Sequence, residues 1–302
     1  MTLTELRYIV ALAREKHFGR AAEKCFVSQP TLSVAVKKLE DELGVILFER
    51  GQHEITVTPA GEPIVRQAEK VLAEAARIKE LADTAGDPLA GPLRIGAIYT
   101  IGPYLLPRLV PLLRQHAPQM PLILQENFTA QLIEALKNCE LDVAIVALPV
   151  EEPGLVAQAV YDEAFRVLVP AQHPWAKEKA IAPRKLLDQP LLMLGRGNCF
   201  RDQVLDLCSR AGAGGPQVLE GSSLETIRYM VASNIGVTVM PASAVDELPK
   251  NDALLRARPF VEPTPTRRVG MVWRASFPRH QAIDLLRRAL LECKLPGTTP
   301  TK

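Results

Sequence analysis

Phe18-Gly-Arg-Ala-Ala-Glu-Lys-Cys-Phe-Val-Ser-Gln-Pro-Thr-Leu-Ser-Val-Ala-Val-Lys-Lys-Leu39 is the stretch that decides how the first part of the chain folds. Arg20 to Lys24 forms a short helix in which Ala21 and Ala22 are small enough for close packing. Cys25-Phe26-Val27 is a tight connection. Ser28 caps a further helix, with Gln29 and Pro30 in its first turn, where a proline costs no helical hydrogen bond. Leu32, Val36 and Leu39 supply the buried stripe of that helix, which ends near Gly44. On the N-terminal side, Leu6, Ile9, Val10 and Ala13 repeat at helical spacing, with Thr2 or Thr4 as cap, until His17-Phe18-Gly19 breaks the helix. On the C-terminal side, Leu47 to Arg50 and Ile55 to Val57 flank Gly51-Gln-His-Glu54 as a β-wing. A short helix, a tight turn and a capped helix with polar residues outside is a helix-turn-helix.

The chemistry of that unit suits duplex DNA. Gln29 is the candidate for reading base edges, and Ser28, Thr31 and Ser33 suit phosphate or base-edge contacts. Lys37, Lys38 and Arg20 are candidate phosphate partners, with Arg50 and His53 of the wing reaching the backbone. Local charge agrees, with six basic and two acidic residues between Arg14 and Lys38. Bulk charge is silent on this point, because the net value of the 302-residue chain is only +2. Apolar content of 47% is that of an ordinary globular protein, and no apolar run reaches the roughly 18 residues of a membrane span. With charged residues throughout its first helix, the N-terminus does not read as a signal peptide, so the expected location is cytoplasmic. Five cysteines without CxxC or CxH spacing argue against a disulfide framework and against metal, and no cofactor is expected.

Thr58 and Pro59 open a long helix running to about Ala85, with Ile64, Ala68, Val71, Leu72, Ala75, Ile78 and Leu81-Ala82 on one face. A stripe that long needs a partner, and a second copy of the helix buries it. Glycines and prolines from Gly86 to Pro92 make a hinge. Beyond it the pattern alternates: strand Leu93–Ile98, helix Tyr104–His116, strand Pro121–Glu126, helix Ala130–Lys137 and strand Leu141–Ala147. This is the signature of a parallel sheet with crossover helices. Phe165 to Val169 begins a second α/β half, which includes Leu191–Leu194, Val218-Leu219, a helix from Ser223 to Ser233 and strand Gly236–Met240. The chain returns through Arg267–Trp273 and closes on a helix from His280 to Glu292. Ligands of such sheets sit at the carboxyl ends of the strands, where Thr100 and Thr129 stand; either can face a cleft or merely cap the next helix.

Within the second half, Leu191-Leu-Met-Leu-Gly-Arg-Gly-Asn-Cys-Phe-Arg-Asp-Gln-Val-Leu-Asp-Leu-Cys208 runs from a strand through a glycine loop into a helix bracketed by two thiols. Nine helical residues separate them by about 13.5 Å and about half a turn. A disulfide needs Cα atoms within about 7 Å, so a bond requires the helix to come apart. Cys199 stands at the helix N-terminus, where the macrodipole and nearby Arg196 and Arg201 favour thiolate. The plain alternative is two inert core cysteines.

Phe18-Gly-Arg-Ala-Ala-Glu23, Ser28-Gln-Pro-Thr-Leu32, Leu39 to Gly44, Leu47-Phe48 and Thr58-Pro-Ala-Gly61 together resemble the DNA-binding domain of LysR-type transcriptional regulators. The resemblance implies an α/β protein with an N-terminal winged helix-turn-helix at 1–58, a linker and dimerisation helix at 59–86 and a two-subdomain, periplasmic-binding-protein-like effector domain at 87–302. Subdomain I is expected at about 91–162 and 267–302, and subdomain II at about 163–266. Cys199 and Cys208 around Arg201-Asp202-Gln203, with Leu6-Arg-Tyr-Ile-Val10 and Pro190-Leu-Leu-Met-Leu194, resemble the peroxide-sensing members of that family. By that resemblance Cys199 is the peroxidatic thiol and Cys208 the resolving thiol, joined reversibly as a disulfide. Thr100, Thr129, Asn198, Asp202 and Arg201 then form the pocket for hydrogen peroxide. The resemblance further implies a homodimer or homotetramer on promoter operators, acting on RNA polymerase, with no enzymatic turnover. One departure stands out: such proteins commonly carry His before the reactive cysteine, and this chain has Asn198. Two other readings stay open, a regulator sensing a small carboxylate metabolite near Thr100 and Thr129, and a thiol peroxidase.

Overall fold

The computed structural model describes residues 1–51, 55–83, 87, 89–212, 215–249 and 252–301. They form two compact units, residues 1–86 and, apart from 137–140, residues 87–302.

The first unit holds α1 (Leu3–Glu15), α2 (Phe18–Lys24), α3 (Gln29–Leu43), β1 (Phe48–Arg50), β2 (Ile55–Val57) and α4 (Gly61–Asp83). Thr2, not Thr4, caps α1, in a reciprocal box with Glu5. His17 does more than break the first helix. Lys16 turns into the left-handed region (φ 50°), and His17 Nδ1 then accepts from the amides of Gly19 and Arg20. The second helix therefore starts at Phe18, two residues earlier than expected, because an imidazole serves as its cap. Ser28 caps α3, accepting from Thr31 N, and Gly44 (φ 67°) ends it. Leu32, Val36 and Leu39 of α3 are buried against Leu6, Ile9 and Leu12 of α1 and Ala21 and Ala22 of α2. β1 and β2 pair antiparallel, Phe48 opposite Val57, as the wing. Thr58 Oγ1 accepts from Gly61 N and donates to Ile46 O, tying the start of α4 to the wing. Val65 and Ala68 of α4 are buried on this core, whereas Val71 and Ile78 farther along are exposed. The expected end of this helix near Ala85 lies outside the described residues.

The second unit contains β3 (Leu93–Ile98), α5 (Gly102–His116), β4 (Leu122–Asn127), α6 (Thr129–Lys137), β5 (Val143–Ala147), β6 (Leu155–Pro170), β7 (Pro190–Leu194), α7 (Cys199–Ala211), β8 (Gln217–Gly221), α8 (Leu224–Ala232), β9 (Val237–Pro241), α9 (Ala242–Val245), β10 (Leu255–Pro259), β11 (Thr266–Arg274), α10 (His280–Glu292) and β12 (Thr298–Pro300). The strand order is β4-β3-β5-β11-β6-β9-β7-β8, with β10 and β12 also on β6. β4, β3 and β5 are parallel, as are β8, β7 and β9; between the two sets β11 runs antiparallel to both β5 and β6, and β6 runs antiparallel to β9. β5 is buried along its whole length and therefore reads as a continuous apolar run rather than an alternation, and β3 is buried at every position but Arg94.

β6 is the strand that joins the halves. Its residues 155–164 pair with β11, and from Phe165 onward it pairs with β9. Each half has its own core. One gathers β3, β5, β11, α5 and α10; the other gathers β7, β9, the end of β6, α7 and α8. The exchange at Ala164 and Phe165 falls two residues past the boundary read from sequence. The sequence pattern marks only the second part of β6, and neither β10 nor β12.

Candidate redox site and nucleic-acid interface

Cys199 is the first residue of α7, delivered by the loop that follows β7. Gly197 in that loop has φ 90°, a conformation that side chains other than glycine rarely adopt. Opposite, Thr129 begins α6 at the carboxyl end of β4, and its Oγ1 donates to Cys199 Sγ at 3.7 Å. Thr100, buried, follows β3. These residues surround a cavity of about 10 Å³, room for roughly one water-sized molecule. Its walls are Ile98, Tyr99, Thr100, Asn127, Phe128, Thr129, Gly197, Asn198 and Cys199. Thr100 is not a helix cap, because Ile101 occupies that position before α5 and the Thr100 hydroxyl is engaged elsewhere.

The partner of Thr100 is Arg267, whose Nη1 donates to Thr100 Oγ1 at 2.8 Å and whose Nη2 donates to Thr100 O at 2.9 Å. With its acceptor oxygen engaged, the Thr100 hydroxyl keeps its proton for another acceptor. Arg267 Nε donates to Glu163 Oε2 at 2.8 Å, and the two side chains are 0% and 1% exposed. Glu163 Oε1 accepts from Ser243 N at the start of α9. The guanidinium lies 5.3 Å from the centre of the Phe200 ring, next in sequence to Cys199, and Phe200 packs edge-on against Phe165 of β6. A charged pair this deep persists only when paired and hydrogen-bonded, as here. Sequence reasoning missed it, although a signal existed. Arg267 alternates in phase with Val269, Met271 and Trp273, which marks the buried face of β11, and its opposite number in the ladder is Glu163. Arg268, one residue on, turns outward and pairs with its own opposite, Asp162.

The remaining expected pocket residues divide. Asn198 lines the cavity, and its Nδ2 donates to Gly195 O at 3.0 Å, bracing the glycine loop rather than capping α7. Arg201 does not line the cavity. Its Nη1 donates to Leu194 O and to Glu220 Oε1, so it clamps the ends of β7 and β8. Asp202, exposed on the first turn of α7, is not part of the lining either. Both share the first turn of α7 with Cys199, but their side chains are not in the cavity wall.

Cys208 is buried in the second core with Phe200 and Val204, and burial raises its thiol pKa. Cys199 instead packs on the first core. Both thiols are free. Two thiols on one helix thus belong to different cores, about 13.5 Å apart along the axis by helical rise. Of the other cysteines, Cys293 is buried just after α10 with its pKa pushed up to about 11 by desolvation, and Cys25 is half-buried beside the helix-turn-helix core.

In the first unit, Ser28, Gln29 and Thr31 are exposed at the N-terminus of α3, where free backbone amides and the helix dipole suit a phosphate. Ser28 Oγ and Thr31 Oγ1 are linked at 2.8 Å. Lys37 and Lys38 are exposed along α3, and Ser33 is half-buried. Arg20 is exposed on α2, with Nη2 donating to Glu15 O. His53 falls outside the described residues, and Arg50 enters only through the backbone of β1. Among the described residues there is no group of three or more His, Cys, Asp or Glu side chains fit for a metal, and no helix is long and apolar enough to cross a membrane.

The winged helix-turn-helix, the long helix and the two-core α/β unit define a class, and comparison with known proteins gives it a family. Residues 3–62 match the bacterial regulatory helix-turn-helix of the lysR family, and residues 86–293 match the LysR substrate binding domain. The chain belongs to the LysR family of bacterial regulators. Within it, the chain is 41% identical over 290 residues to the DNA-binding transcriptional dual regulator OxyR of Escherichia coli K12, covering 96% of this chain and 95% of that one. It is 42% identical over 281 residues to the hydrogen peroxide-inducible genes activator of Haemophilus influenzae, with 92% of each chain covered. Full-length OxyR C199D from Pseudomonas aeruginosa superposes with a TM-score of 0.80 at 53% identity, covering 100% of this chain and 99% of that one.

Proposed function

We propose that the chain is a hydrogen-peroxide-sensing, DNA-binding transcriptional regulator switched by a reversible Cys199–Cys208 disulfide. The observation that carries the reading is the contrast between the two thiols. One stands at a cavity of about 10 Å³ beside two threonine hydroxyls, and the other is sealed in the opposite core of the same unit. The Cys199 sulfur attacks one oxygen of hydrogen peroxide. An S–O bond forms, the O–O bond breaks, and the second oxygen leaves as water after taking a proton, so that Cys199 becomes a sulfenic acid. Cys208 sulfur then attacks Cys199 sulfur, an S–S bond forms, and the sulfenic oxygen leaves as water. Because the helix cannot hold both sulfurs within bonding distance, α7 gives up its fold as the bond forms, and the second core loses Cys208 as a packing element. A dithiol reductant returns two electrons and resets the protein. One oxidation per cycle serves as a signal rather than as turnover.

Comparison with the chain's relatives supports the same assignment, as does the size of the cavity. A carboxylate metabolite of several heavy atoms needs many times 10 Å³, whereas an oxidant of two oxygens is far nearer in scale to this cavity. The output is duplex DNA read by Gln29, Ser28 and Thr31 and gripped through Lys37, Lys38 and Arg20. Val71 and Ile78, exposed on α4, call for a second copy of the helix, so the working species is a homodimer or a pair of dimers. Operators in the cytoplasm and contact with RNA polymerase complete the reading. The test is a footprint on operator DNA with and without peroxide. Cys199→Ser is expected to bind DNA and to lose the peroxide-dependent change; a footprint that still shifts overturns the proposal.

A further inference from the structure

Two aromatic rings border the Cys199 cavity, and the chemistry above uses neither. Tyr99 follows β3 and Phe128 follows β4, each directly before one of the two threonines. Their ring centres are 5.3 Å apart with planes at 75°, an edge-to-face pair. Both belong to the cavity wall. Deeper wall residues, Ile98 and Thr100, are buried, whereas Tyr99 is 43% exposed and Gly197 is exposed. The solvent side of the cavity therefore runs between the Tyr99–Phe128 pair and the glycine loop. The Phe128 backbone is fixed there by its amide, which donates to Asn127 Oδ1 at 2.9 Å. Gly197 adds no side chain, and nothing lies within 4 Å of where a Cβ would stand.

We infer that the Tyr99–Phe128 pair is a size gate that confines oxidation of Cys199 to hydrogen peroxide and excludes alkyl hydroperoxides. The inference rests on Cys199 being the peroxide-reactive thiol. For any hydroperoxide ROOH the balance is the same: thiolate plus ROOH plus a proton gives sulfenic acid plus ROH, with water as product when R is hydrogen. The two oxidants thus differ in the bulk that must pass the rings, and the sulfur and the bond broken stay the same. A tert-butyl group carries four carbons, far more than a space of about 10 Å³ accepts without displacing a ring. The hydroxyl of Tyr99 is not required by this role, but its ring is.

The experiment measures loss of the Cys199 thiol in the full-length protein by differential alkylation and mass spectrometry, with hydrogen peroxide and with tert-butyl hydroperoxide in parallel. The readout is the ratio of the two rate constants within each variant, so altered thiol reactivity or partial unfolding that affects both oxidants cancels. Wild type is expected to favour hydrogen peroxide strongly. In Tyr99→Ala and Phe128→Ala the ratio falls at least tenfold through faster reaction with the bulky peroxide, and in Tyr99→Phe it stays at the wild-type value. If either alanine variant destabilises the loop, Phe128→Leu provides a milder opening, with a smaller fall in the ratio. Unchanged ratios in all three ring-removing variants overturn the gate. Wild-type Cys199 that fails to react with hydrogen peroxide removes the underlying reading instead, and that outcome is visible before any variant is made.

Discussion

Glu163→Gln isolates the electrostatic support beneath the redox site. In the parent, Glu163 receives Arg267 Nε at one oxygen and Ser243 N at the other, both within 3.0 Å. All of these partners are donors. An amide offers one acceptor and one donor, so one contact becomes donor against donor, and the charge that balances Arg267 disappears. Arg267 is fully buried, and breaking one side of such a pair costs about 3–5 kcal/mol. A folding unit of roughly 200 residues loses about 2–4 °C in Tm per kcal/mol, so the melting temperature is expected to drop by roughly 6–20 °C. The neighbouring pair supplies the control. Arg268 and Asp162 are opposite one another in the same ladder on the exposed face, where such a pair contributes at most about 1 kcal/mol. Asp162→Asn is therefore expected to move Tm by less than about 4 °C. Differential scanning calorimetry of the reduced protein compares the three. A Glu163→Gln protein that melts within about 2 °C of the parent, or no lower than Asp162→Asn, refutes the claim that this carboxylate compensates the buried guanidinium.

Three further outcomes follow from the described geometry. Gln29→Ala is expected to relax selectivity at one base pair of the operator by about 1–3 kcal/mol, whereas Lys37→Ala weakens all sequences alike and lowers the salt slope of binding by about 0.9; gel-shift titrations at several salt concentrations separate the two. Burial raises the thiol pKa of Cys208 and Cys293, the latter from 9.0 to about 11. A thiol whose folded pKa is raised contributes stability present below the unfolded value and lost as pH climbs toward the folded one, so Tm is expected to decline between pH 9 and 11 and to decline less in Cys293→Ala. Over that range Cys208 in the reduced protein should resist iodoacetamide longer than Cys199, as pulse alkylation with mass spectrometry can show.

The parts of the fold that were legible in sequence are those where one residue pattern has one physical reading. Ser28 before Pro30, with Leu32, Val36 and Leu39 behind them, admits little besides a capped helix, and the continuous apolar run of β5 admits little besides a buried strand. The first half of β6 was illegible for the opposite reason. Leu155-Val-Ala-Gln-Ala-Val160 has two alanines and no clean alternation, and it is a strand because β11 lies alongside. The redox loop was legible in part. Thr100, Thr129, Asn198 and Cys199 follow from strand ends and meet at the cavity. Arg201 and Asp202 enter the expected pocket only through the family resemblance, and neither lines the cavity: Arg201 reaches Leu194 O and Glu220, and Asp202 is exposed. Arg267 is 68 positions from Cys199 in sequence, and only the register of β11 on β6 brings it under Thr100.

We propose that Cys199 and Cys208 bond although the reduced fold holds them in separate cores. Peptide mapping by mass spectrometry, after one equivalent of hydrogen peroxide and rapid blocking of free thiols, tests it directly. A Cys199–Cys208 cross-linked peptide is expected as the main product, with Cys25, Cys139 and Cys293 recovered in alkylated form. Recovery of Cys208 as a free thiol while Cys199 is oxidised, or a cross-link from Cys199 to any other cysteine, contradicts it.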